Sequence, residues 1–95
     1  MVKDKRYKTV NILIEIGKVS EFRDIFEHIP KTKVAEQLGF HFNRITKLIE
    51  SVKEIKVGDI FLLSDYFEID SKKMFELIYN QKNNQKPIPK TKRKG

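Results

Sequence analysis

The chain contains no cysteine and only four glycines and three prolines among 95 residues. Without cysteine there is no disulfide framework, no thiolate metal site and no thiol nucleophile, and sulfur chemistry is confined to Met1 and Met74. The few glycines form neither a GxxxxGK[ST] nor a GxGxxG phosphate loop. Long apolar runs are also missing: no stretch approaches the ~20 residues of a membrane span. The charged opening MVKDKRYK is not followed by the apolar run and cleavage site of a secretion signal, so a soluble cytoplasmic protein with no membrane association is expected. His28 and His41 fall on different predicted helices, away from any metal-ligand spacing, and the acidic residues are scattered. No metal, no cofactor and no enzymatic activity are therefore expected.

Positive charge is plentiful, with a formal net charge of +7, but it is concentrated at the ends. Residues 1–8 sum to +3 and residues 81–95 to +6, leaving −2 for residues 9–80. Within that middle, residues 31–50 carry Lys31, Lys33, Arg44 and Lys47 against Glu36 and Glu50, while the segments on either side are each −2. The basic part of the body thus coincides with one short segment, as attraction to phosphate requires. The organisation expected is one domain over 8–81, a basic segment 1–7 and a disordered basic tail 82–95, with polyproline character near Pro87 and Pro89. The pentapeptide IPKTK occurs at 29–33 and again at 88–92, which in a lysine-rich chain reads as coincidence.

Apolar spacing predicts an all-α bundle of about five helices. Val10, Leu13 and Ile14 recur at helical spacing before Gly17, predicting a helix over 8–16, although β-branched Val10, Ile12, Ile14 and Ile16 also fit a strand. Ser20 as N-cap and the stripe Phe22, Ile25, Phe26 and Ile29 predict a second helix over 21–28. A third begins either with Pro30 as its first residue or with Thr32 as its cap, and ends at Gly39. A fourth covers 42–51, followed by a polar connector at 53–56 and a fifth from Val57 to Phe67 with Gly58 in its first turn. Asp70 caps the last, with Ile69 and Met74 placed as a hydrophobic staple. Phe22, Phe26, Phe61, Phe67 and Phe75 are expected in the core or at an interface.

The segment KTKVAEQLGFHFNRITKLIE, 31–50, reads as two short helices joined by a tight turn. A small side chain at Ala35 lets the second helix cross close to the first, and Gly39 can take the positive φ that reverses the chain. Ile45 fills the wedge between them, and Val34, Leu38, Leu48 and Ile49 complete the apolar register. This spacing resembles the helix-turn-helix of the lambda-repressor-like (Cro/cI, XRE-type) family, over roughly Lys8 to Gln81. The resemblance implies a lambda-repressor-like fold, binding to double-stranded DNA and a role in transcription regulation. Because one such domain buries a modest interface, it also implies a homodimer reading two half-sites.

In that family the second helix of the motif enters the major groove N-terminus first. The resemblance therefore implies base contacts from His41, Phe42, Asn43 and Lys47. Asn43 suits adenine, Lys47 suits guanine and Phe42 suits a thymine methyl, although Phe42 could instead tuck under the turn as core. Phosphate contacts are implied for Lys31, Thr32 and Lys33 at the start of the first motif helix, and for Arg44 and Thr46. Glu50 would repel phosphate unless it pairs with Arg44, Lys47 or Lys53. The competing reading is a protein-interaction module on the same fold, such as an antitoxin whose basic tail holds a protein partner.

Overall fold

The computed structural model describes residues 3–84, and the residues expected to form the tail lie outside that span from 85 onward. Regular structure within it is entirely helical, in an all-α bundle. The elements are α1 (Arg6–Glu15), α2 (Lys31–Leu38), α3 (Phe42–Glu50), α4 (Val57–Phe67) and α5 (Ser71–Asn84), with short 3-10 helices at Phe22–Glu27 and Val52–Glu54. No helix of these is long and apolar enough to cross a membrane.

α1 is a helix and not the alternative strand: Val10 and Ile14, one turn apart, are buried together, while Ile12 and Ile16 are 58% and 61% exposed on the other side. It begins two residues before the expected start because Asp4 accepts the Arg6 N–H at 3.0 Å and grips the Arg6 guanidinium. That grip holds the Asp4 carboxyl well below the usual carboxylate range. The segment after it departs further from expectation. Instead of an α-helix over 21–28 there is a 3-10 helix over Phe22–Glu27, started by Glu21 and not Ser20. Three residues per turn stack the buried Phe22 and Ile25 on one side, and Pro30 blocks any α-helical continuation. Asp24 accepts the Glu21 N–H, and the Ser20 carbonyl accepts from the Asn80 amide at 2.9 Å.

Pro30 stands just outside α2, in extended conformation, with Lys31 as the first helical residue; neither starting point expected from the sequence is used. α2 ends with paired bonds: Phe40 N–H to Ala35 C=O at 2.8 Å and Gly39 N–H to Glu36 C=O at 3.3 Å. The Phe40 bond requires the left-handed backbone of Gly39, at φ +74. A Cβ there would meet nothing within 4 Å, so Gly39→Ala tests conformation alone. Urea unfolding should show a loss of about 1 kcal/mol.

Val34, Ala35, Ile45 and Leu48 are buried between α2 and α3, and Ile45 is wholly enclosed. Around them pack Val10, Phe22, Ile25, Leu63, Phe67 and Met74. Asp70 caps α5 through the Lys72 N–H at 2.7 Å, with Ile69 and Met74 buried on either side of the cap. Phe61 and Phe75, by contrast, are 55% and 53% exposed and form no part of the core.

Contacts also reach beyond 8–81. The Lys3 ammonium donates to the Tyr66 carbonyl at 2.7 Å, pairs with Glu68 and lies over the Tyr7 ring. Burial pushes the Tyr7 and Tyr66 phenols above their ordinary range. At the other end, the Asn84 amide donates to Glu21 Oε2 at 2.5 Å. This bond, with help from Arg23, lowers the Glu21 pKa. A depressed acid stabilises the fold above its unfolded pKa and loses that contribution as pH falls through the folded value. Asn84→Ala should therefore move the Glu21 carboxyl titration, followed by NMR, upward towards the ordinary glutamate value.

Candidate nucleic-acid interface

α3 has one apolar side and one polar side. Ile45 and Leu48 face the core, Ile49 is half-buried, and His41, Phe42, Asn43, Arg44 and Lys47 are exposed. Phe42 is thus on the surface, 45% exposed, with the Lys31 ammonium 5.5 Å from its ring centroid. That contact joins the starts of α2 and α3 into one surface. Asn43, Arg44, Lys47, Leu48 and Glu54 line an open cleft of about 350 Å³ beside it.

The helix starts differ in how their free N–H groups are met. An aspartate carboxylate accepts a backbone N–H at the start of α1, of the first 3-10 helix, of α4 and of α5. Pro30 and His41 supply no side-chain cap to α2 and α3. The two helices joined by the Gly39 turn therefore present uncapped N-termini, whose first N–H groups and positive dipole ends favour an anion. Lys31 and Thr32 stand at one of them, and Phe42 and Asn43 at the other.

The cations are not equivalent. Lys33 pairs with Glu36 at 3.5 Å on the surface of α2. Arg44 turns to the buried Asp59 carboxylate at the start of α4, while its guanidinium lies 4.2 Å from the Phe40 ring centroid. Its charge is already opposed, which gives it a structural task besides the expected phosphate contact. Thr46 is half-buried and its hydroxyl donates back to the Phe42 carbonyl at 3.3 Å, within its own helix. Among the described residues, Lys31 and Lys47 have no carboxylate within ion-pair distance, and Glu50 has no cation within it. The pairing that would neutralise Glu50 is not formed, and Glu54 adds a second acid at the edge of the cleft.

Sequence reasoning missed the two polar side chains that hold this surface in place. Asp59 both caps α4, through the Lys56 N–H at 3.3 Å, and receives Arg44 from α3. Gln81, wholly buried in α5, donates from Nε2 to the Ile49 carbonyl at 2.6 Å and accepts the Arg23 N–H at Oε1, also at 2.6 Å. Gln81 lies in the apolar register of Met74, Leu77 and Ile78, and that misplaced polarity was its available signal. Nothing in the sequence pairs Asp59 with Arg44. Among the described residues no group of acidic or histidine side chains could hold a metal ion. No family model, curated protein or solved structure matches this chain.

Proposed function

We propose that this protein is a helix-turn-helix DNA-binding protein of lambda-repressor-like type, which reads duplex DNA with α3 and regulates transcription as a dimer. The observation that carries the reading is the α2–Gly39–α3 unit: a three-residue turn, a buried Ala35 and Ile45 at the crossing, and two uncapped helix starts facing solvent together. Base contacts are assigned to His41, Phe42, Asn43 and Lys47, and phosphate contacts to Lys31, Thr32 and Lys33. Arg44 and Thr46 contribute through what remains of their hydrogen-bonding capacity. The role is that of a binding protein and not an enzyme, and it is exercised in the cytoplasm.

Anisotropy of a labelled duplex, selected from a random pool by the full chain and titrated at two salt concentrations, tests the reading. Asn43→Ala with Lys47→Ala should weaken binding to that duplex at least ten-fold and to unselected DNA far less, with the thermal melt unchanged. Indifference to both substitutions, or equal binding of single-stranded DNA, would refute it.

A protein-interaction role on the same fold is favoured by one feature. Phe75 and Tyr79 stack on the exposed side of α5, 6.2 Å between centroids, and Phe61 and Leu62 are exposed on α4. In the DNA-binding reading these side chains, or Ile12 on α1 with Ile16 just past its end, supply the dimer contact; sedimentation of Phe75→Ser with Tyr79→Ser tells whether α5 does.

A further inference from the structure

The cleft of about 350 Å³ beside α3 joins three residues that the DNA-binding reading uses, Asn43, Arg44 and Lys47, to one that it does not, Glu54 of the second 3-10 helix. Its volume falls at the lower end of the range for small-molecule sites, roughly 300–1,000 Å³. At ~30 Å³ per water it equals about a dozen waters, which is room for roughly ten non-hydrogen atoms. One wall is held in place, because Arg44 is gripped by the Asp59 carboxylate and lies on the Phe40 ring. The buried Leu48 supplies the apolar part of the lining.

Charge narrows the occupant. Asp59 opposes Arg44, so the uncompensated charges of the lining are Lys47 on α3 and Glu54 on the 3-10 helix. Among the described residues neither lies within ion-pair distance of an opposite charge, and so not of the other. A simple anion would be attracted by Lys47 and repelled by Glu54, and a simple cation the reverse. Only a molecule carrying both signs satisfies the two together. We infer that this cleft binds a free amino acid, with its carboxylate against Lys47 and the Asn43 amide, its ammonium against Glu54, and its side chain against Leu48 and the Arg44 stem.

The site stands on the cleft itself, while its consequence for DNA rests on the DNA-binding reading of α3. Asn43 and Lys47 cannot serve a base edge and the amino acid together. The two ligands therefore exclude each other, and the hold on DNA falls as the amino acid accumulates. An open cleft whose charges stay wet holds such a ligand loosely, with a dissociation constant on the order of 0.1–1 mM.

The test titrates the twenty free amino acids, one at a time at constant pH and ionic strength, into the nitrogen-15-labelled full chain, followed by amide NMR. Saturable shifts at residues 43–48 and 52–54 are expected with at least one of them. Lys47→Ala and Glu54→Gln, both at exposed positions, should each weaken that binding about five-fold with the thermal melt unchanged. The N-acetyl and carboxamide forms of the same amino acid, each lacking one charge, should bind more weakly by a similar factor. No saturable shift from any of the twenty, shifts indifferent to Lys47 and Glu54, or equal binding of the N-acetyl form overturns the inference. The amino acid is then added to the complex with the selected duplex, which it should release; its retention alongside bound DNA overturns the exclusion. A chain that takes the amino acid but no duplex supports the site and refutes the α3 reading, whereas duplex binding by a chain that takes no amino acid does the reverse.

Discussion

Gln81→Ala is expected to destabilise the fold by about 3–5 kcal/mol, a loss usually associated with a large core residue. Gln81 is wholly buried, and both ends of its amide are used. Alanine would leave the partly buried Arg23 N–H and Ile49 C=O without these partners. Each stranded group costs roughly 1–3 kcal/mol, and the lost methylenes add about 1 kcal/mol more. Gln81→Met separates the two contributions, since it restores volume but not the bonds, and should recover only the packing part. Urea unfolding followed by circular dichroism measures both variants. An alanine variant within 1 kcal/mol of the parent would mean that the bridge between α5, α3 and the 3-10 helix does not support the fold.

This residue also marks where the sequence stopped being legible. Position 81 belongs to the apolar register of α5, so its burial could be read, but its partners lie 32 and 58 residues away and no local pattern names them. The α2–α3 unit was legible for the opposite reason. Ala35, Gly39 and Ile45 act through close approach, positive φ and wedge packing, all of which are local demands on residue type. α1 was ambiguous because Val10, Ile12, Ile14 and Ile16 satisfy a period of two as well as a helical one. Only the core beneath Val10 and Ile14 decides between them. The 3-10 helix was read as α because Phe22, Ile25, Phe26 and Ile29 recur at i, i+3, i+4 and i+7, whereas only Phe22 and Ile25 are buried within it and Pro30 stops any α-helical continuation.

Charge was the least legible property of the surface. By composition, residues 31–50 hold four cations, but the fold leaves only Lys31 and Lys47 clear of carboxylates. Glu50 and Glu54 stay near the same helix. The proposed recognition surface, with so few free cations, would depend on uncapped helix starts for its remaining attraction to phosphate, which falls off within one turn. On that reading, non-specific affinity of the described body for DNA should be weak.

Asp59→Ala should cost about 2–3 kcal/mol and should loosen α3 in particular. The carboxylate is buried, caps α4 through the Lys56 N–H, and holds Arg44 on α3. The lost cap is worth about 1 kcal/mol, and the charge-assisted bond to Arg44 about 1.5–3 kcal/mol before discount. The discount is needed because the Arg44 side chain is 48% exposed: once released it regains water, and the full penalty of a stranded buried charge does not apply. Asp59→Asn keeps a capping oxygen and should lose only the ionic part. A double-mutant cycle with Arg44→Ala isolates the pair, and a coupling near zero would show that Asp59 acts as a cap alone. Hydrogen exchange localises the effect. Faster exchange in α3, with α5 unchanged, is expected if the Asp59–Arg44–Phe40 contact is what holds that helix against α4. Uniform acceleration would instead mean that Asp59 supports the bundle as a whole and has no special hold on the surface α3 presents.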